Sequence, residues 1–326
     1  MTSQLDALTR INLDDLVTSF GWQDYPLLIR ILQRVFIKPA RKFAAHMVEF
    51  DDAVGARGLP EASRLILRRY VKDVRVFGRQ NLPTFRDIST PDTPTPSPPL
   101  ALSEVEGSPV SRPPSFLALS NHPGMADTIS LFAALNHPDL KIIALDRPFL
   151  NALPNTSKQL FYLKDDPAAR MTLVRQVSAH LRAGGAALTF PAGEIEPDPN
   201  VYPGALESLT RWTDSAGVFL RLAPETAILP VLVRGVVWNK TAHHPLVRLK
   251  RDRMGREKLA AALQLLAHVQ FNARPVTVTV QIGNPITIKE LGSTETQIIH
   301  QAVLAEMKRL IENPPEGEGQ SVIHNS

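Results

Sequence analysis

The chain of 326 residues contains no cysteine. That excludes a disulfide framework, a thiolate nucleophile and a Cys-based zinc site, and it agrees with a reducing compartment. Nor is there an uninterrupted apolar run of the roughly 20 residues that a membrane-spanning helix needs. Residues 1–10 place Gln4, Asp6 and Thr9 where a secretory signal requires a continuous apolar stretch, so a cytoplasmic chain is expected. No G-x-S-x-G elbow occurs, and with cysteine also missing a covalent intermediate on either nucleophile is not expected. Charge of one sign is scarce as well: the formal net charge of +4 matters only if it is concentrated in one place. No aromatic-studded basic surface or known nucleic-acid motif is found, so nucleic acid is not an expected partner.

What is present suffices for a globular fold, with 44% apolar residues. Residues 1–75 read as helical. Within them "YPLLIRILQRVFIKPARK" (25–42) sets Leu27, Leu28, Ile31, Leu32, Val35 and Phe36 on one stripe beside Arg30, Arg34 and Lys38. Such a stripe serves a helix packed on a core and a helix lying in a bilayer interface equally well. "EASRLILRRYVKD" (61–73) reads as a second helix, and "VRVFGRQNLP" (74–83) as a strand closed by a turn. Residues 86–115 are dominated by Pro, Ser and Thr without apolar periodicity and read as a disordered insertion inside one domain. Buried strands are expected at 116–120, 141–145, 186–190, 227–238 and 276–283. A helix at 169–185 should stop at a glycine pair. The expected fold class is α/β: a mixed, largely parallel sheet flanked by helices, with an N-terminal helical segment. The domain should run over 76–312, with 313–326 a disordered tail.

Two turns at strand ends carry the chemistry. The strand "FLALS" runs into "NHPGMAD" (121–127), which sets His122 at a strand mouth and lets Asp127 fold back onto its ring. An imidazole held at one nitrogen leaves the other free as a base; the alternative is that Asp127 merely caps a helix. The strand "AALTF" runs into "FPAGEIEPD" (190–198), a second corner rich in carboxylates. His243 and His244 with Glu194 and Glu196 lack the i, i+4 spacing of a helical ligand pair, so no metal is expected. The basic run "RLKRDRMGREK" (248–258) reads as a solvated turn before a helix, or as a surface for anionic lipid, coenzyme phosphates or an acidic carrier protein.

These blocks resemble the glycerolipid acyltransferase family, which includes the lysophosphatidic acid acyltransferases. "NHPGMAD" matches its N-H-x-x-x-x-D signature, "FPAGEIE" stands in place of F-P-E-G-T-R-S, and "VYPGA" (201–205) in place of a lysine-rich F-K-x-G-A stretch. "ILPV" (228–231) resembles its proline-bearing last strand. The resemblance implies O-acyl transfer from acyl-CoA or acyl carrier protein, as co-substrate, to the hydroxyl of a lyso-lipid or glycerolipid, with no cofactor. It makes His122 the general base and Asp127 its partner, and places Asn121, Gly124, Pro191, Gly193 and Glu194 around the substrate. Backbone amides near Gly193 would stabilise the oxyanion. For the family's second block, Lys164 is the first counterpart and Arg170 the second. Where the family has a phosphate-binding arginine this chain has Ile195, which implies an acceptor without a terminal phosphate monoester; the alternative is an anionic acceptor bound by Lys164 as a point charge. The family reading implies a membrane surface as partner, on the cytoplasmic side. A lipid esterase and a non-catalytic lipid-binding relative are the alternatives.

Overall fold

A computed structural model describes residues 3–20, 24–83, 115–250 and 252–323. The insertion expected at 86–115 lies outside the described residues, apart from Ser115. Helices α1 (Gln4–Phe20), α2 (Pro26–Arg57) and α3 (Leu59–Tyr70) precede strand β1 (Asp73–Phe77). Then follow β2 (Phe116–Ser120), α4 (Met125–Leu135), β3 (Leu140–Leu145), β4 (Leu160–Leu163), α5 (Pro167–Arg182) and β5 (Ala186–Thr189). The chain continues through α6 (Ser215–Leu222), β6 (Ala227–Arg234), α7 (Arg253–Phe271), β7 (Thr277–Ile282), α8 (Thr296–Glu312) and β8 (Gln320–Ser321).

The strands form one eight-stranded sheet in the order β4-β3-β5-β2-β6-β7-β1-β8. Its first five are parallel; β7 is antiparallel to β6 and β8 to β1. The fold is therefore α/β with a mixed, largely parallel sheet. Successive side chains of a strand point to opposite faces. Phe116 and Ala118 of β2 accordingly meet Phe43, Met47, Leu67 and Leu131 of α2, α3 and α4 in one core. Leu117 and Leu119 meet Val177, Phe219 and Met307 of α5, α6 and α8 in another. Helices cover both faces, which is why the central strands are almost wholly apolar. The N-terminal helices share their core with β1 and β2.

Pro230 sits in β6 between two partners, an unusual place for a residue that cannot donate to a ladder. Its carbonyl accepts Gly283 N at 2.8 Å on the β7 side, where regular pairing lapses between Ile282 and the bridge Ile228–Ile286. The missing donor falls in that gap.

Two expectations need correction. The stripe on α2 divides: Leu32 is buried, whereas Leu27, Ile31 and Val35 are exposed, and Phe43, Met47 and Phe50 further along supply the buried face. The segment 313–326 is not a loose tail throughout. Gln320 and Ser321 pair with β1, and Val322 and Ile323 are buried, because β1 would otherwise be an open edge. Among the described residues no helix is long and apolar enough to cross a membrane.

Candidate active site

Because β5 and β6 flank β2 and all three run parallel, the loops after them emerge at one edge of the sheet. These loops hold His122, residues 190–198 and residues 235–238. Three buried polar side chains tie them together. Asn121 donates to Val233 O at 2.9 Å and accepts from Val233 N at 2.8 Å, extending the β2–β6 ladder by a side chain. Glu196 accepts His122 N–H at 3.2 Å, while its own N–H donates to His122 O at 2.9 Å. Asp198 accepts from the amides of Asn200, Gly235, Val236 and Val237 at 2.7–3.0 Å, fixing the loop after β6, where Gly235 has a φ of +73°. A buried carboxylate is tolerable when several donors converge on it.

At the centre His122 Nδ1 donates to Asp127 Oδ2 at 2.8 Å, and the same oxygen accepts Gly124 N–H at 2.9 Å. Asp127 is wholly buried and also accepts from Thr128 through its backbone and its hydroxyl. Helix capping and imidazole anchoring are thus served by one carboxylate at the third position of α4. The His122 ring stacks on Phe190 at a centroid distance of 4.5 Å. Its side chain is 31% exposed, and Nε2 makes no hydrogen bond among the described residues. Burial, the largest influence, favours the neutral ring. The charge and hydrogen bond of Asp127 with the charge of Glu196 outweigh it, and the pKa of His122 lies above the usual imidazole value. The Glu196 carboxyl is itself held above the carboxylate range by burial, opposed by hydrogen bonds from Trp212 (2.8 Å), Ser208 (2.9 Å) and His122.

The other expected site residues are placed as follows. Asn121 has both ends of its amide committed to β6, so it positions the loop and does not face a substrate. Gly124 lines an apolar pocket. Pro191 is buried, its carbonyl accepting Thr213 N at 3.2 Å. Gly193 turns the chain at φ +67°, but its N–H closes the turn onto Phe190 O at 3.0 Å and is not available to an oxyanion. The unspent amides of this turn, among the described residues, are those of Ala192, Glu194 and Ile195. Glu194 pairs with Arg211 at 2.6 Å. Lys164 and Arg170 are not brought to His122. Lys164 follows edge strand β4, three strands or about 14 Å from β2, and faces Asp146; Arg170 faces Asp165. His243, His244, Glu194 and Glu196 do not gather, and no group of three or more metal-ligating side chains forms among the described residues.

Reasoning from sequence missed Asp198, Arg211 and Trp212, and weighed Glu196 only as a metal ligand. The alternation Glu194, Glu196, Asp198 straight after a buried strand was the available signal, since carboxylates at a strand mouth need donors. Beside the dyad, Pro123, Gly124, Ala126 and Ile129 open an apolar pocket running between α2, α3 and α7, with Met47, Leu67 and Leu265 in its wall. Its cavity volume is about 70 Å³, and it opens to the surface.

No family model matches the chain, and no curated protein matches it. Among solved structures, the chain is similar in fold to the 1-acyl-sn-glycerophosphate (LPA) acyltransferase PlsC from Thermotoga maritima, at 16% sequence identity over 94% of each chain, with a TM-score of 0.45.

Proposed function

We propose that the protein is an O-acyltransferase that moves a fatty acyl group from a thioester of coenzyme A or acyl carrier protein to the hydroxyl of a lyso-lipid or glycerolipid. The observation that carries this reading is the Asp127-anchored His122, its Nε2 unspent, followed directly by Pro123 and Gly124 in the wall of an apolar pocket. A ring bound at Nδ1 presents a lone pair at Nε2, the form a general base needs. His122 takes the proton of the acceptor hydroxyl as that oxygen attacks the thioester carbonyl. The tetrahedral oxyanion then meets the unspent amides of Ala192, Glu194 and Ile195. The C–S bond breaks, and the leaving thiolate recovers the proton from the imidazolium. The acyl chain fills the pocket of Met47, Ile129 and Leu265.

Two features bear on the acceptor. Ile195 supplies no charge, and Arg211, the cation beside this turn, is engaged by Glu194 at 2.6 Å. The acceptor therefore carries no terminal phosphate monoester. The exposed Leu27, Ile31 and Val35 of α2, with Arg30, Arg34 and Lys38 on the same helix, suit an anionic bilayer surface where such acceptors reside. The test is mass spectrometry of the products formed by purified protein from an acyl thioester and a panel of lyso-lipids. An acylated lipid is expected, formed fastest from acceptors without a phosphate monoester. Free fatty acid as the sole product would make the protein a hydrolase.

A further inference from the structure

We infer that a basic hollow between α2, α3 and the C-terminal end of α7 binds the phosphate of an anionic bilayer lipid, apart from the His122 site. The hollow has a volume of about 340 Å³ and is lined by Arg68, Arg69, Arg274, Asn272 and His46, among others. Lys42 stands at its rim, its Nζ donating to Asn272 Oδ1 at 3.2 Å. Against these four cations the described contacts bring one carboxylate, Glu49, paired with Arg69 at 2.6 Å. Arg68 spends only Nε, on Ile323 O at 2.9 Å, and Arg274 spends one terminal nitrogen, on Arg68 O at 2.9 Å. Both guanidinium groups keep nitrogens for phosphate oxygens, and the backbone bonds fix their planes beforehand.

The apolar surroundings point to a lipid as the source of that phosphate. At 100° per residue, positions 27, 31, 35, 38, 42, 46 and 49 of α2 fall within about 100° of one another on a helix. The stripe with Leu27 73% and Val35 61% exposed therefore leads along one face to Lys42, His46 and Glu49 at the hollow. Phe271, 76% exposed, directly precedes Asn272 of the lining. Apolar side chains that enter the acyl boundary, with arginines at headgroup depth behind them, fit a lipid phosphate. A free phosphate would use only the arginines. This inference rests on the reading that α2 faces a bilayer, but not on the acyltransferase reading.

The experiment is flotation of the full chain with vesicles of phosphatidylcholine alone and of phosphatidylcholine with phosphatidylglycerol, beside calorimetric titration with inorganic phosphate. Wild type should float only with the anionic vesicles. Arg69→Gln with Arg274→Gln should weaken that binding by about thirtyfold, at about 1 kcal/mol per cation. Arg175→Gln with Arg221→Gln, which removes equal charge from helices on the opposite face of the sheet, should change it far less. Asn272→Asp keeps an acceptor for Lys42 while adding negative charge to the hollow. It should also lose binding, and so guards against a misfolded arginine variant. Equal loss in the hollow and control variants would overturn the site while leaving membrane binding in place. No flotation of the wild type would overturn both. Saturable phosphate binding that the hollow variants abolish, with flotation unchanged, would assign the hollow to a free phosphate and overturn the lipid.

Discussion

The Glu196 carboxylate accepts the His122 backbone N–H, close enough for its charge to act on the ring. That charge, with Asp127, holds the His122 pKa above its ordinary value of about 6.5, so the acid limb of kcat/KM should lie above that pH, because the base works only when neutral. Glu196→Gln removes a negative charge that favours the imidazolium and should move the limb to lower pH. A limb that stays in place or rises would remove Glu196 from the electrostatics of His122. The same shift has a stability consequence with a fixed sign. The protonated ring is favoured by the fold, so its contribution is complete below about pH 6.5 and disappears as pH rises through the raised value. Glu194 is a second handle. Glu194→Gln releases Arg211, and a freed guanidinium contributes about 1.5–3 kcal/mol to a charged hydrogen bond. Use of lysophosphatidic acid should then rise roughly tenfold or more relative to a phosphate-free acceptor in a competition assay; an unchanged ratio would contradict the assignment. His122 and Asp127 were legible because a five-residue spacing through a Pro-Gly turn constrains two side chains by itself. Glu196, Asp198 and Arg211 were not, because their partners come from other loops.

The loops after β2, β5 and β6 are fastened to one another by Asn121, Glu196 and Asp198. Asp198→Ala would leave the amides of Gly235, Val236 and Val237 without their acceptor. Each buried donor left unpaired costs about 1–3 kcal/mol. Urea unfolding should accordingly show a loss above about 3 kcal/mol, whereas a loss below about 1 kcal/mol would mean that water replaces the carboxylate. The buried central strands were readable as apolar runs, and β2 falls on residues 116–120 as expected. β6 ends at Arg234, short of the expected 238, because Gly235 turns the chain onto Asp198. Edge strand β4 and helix α8 went unread. β4 is four residues of half-buried character, and the apolar residues of α8 pack on a face of the sheet that periodicity alone does not reveal.

Across the whole molecule, the helices on both faces and the closing strand β8 make one sheet whose site edge is built from distant segments. β8 shows what local composition misses, since "GEGQSVIHNS" has only two consecutive aliphatic residues to signal pairing. Removing residues 314–326 should cost about 3–6 kcal/mol, the burial of Val322 and Ile323, and free the Arg68 guanidinium from Ile323 O. Denaturant unfolding of the shortened chain measures this, and a loss under about 1 kcal/mol would contradict the packing of that segment. Acyl transfer by the anchored imidazole is measured as thioester turnover with a lyso-lipid acceptor, in the intact protein and in His122→Ala and Asp127→Asn at matched folding. Turnover is expected of the wild type, with a loss of about 10²–10⁴-fold in His122→Ala and a smaller loss in Asp127→Asn. More than about a tenth of wild-type turnover in His122→Ala would rule out His122 as the base.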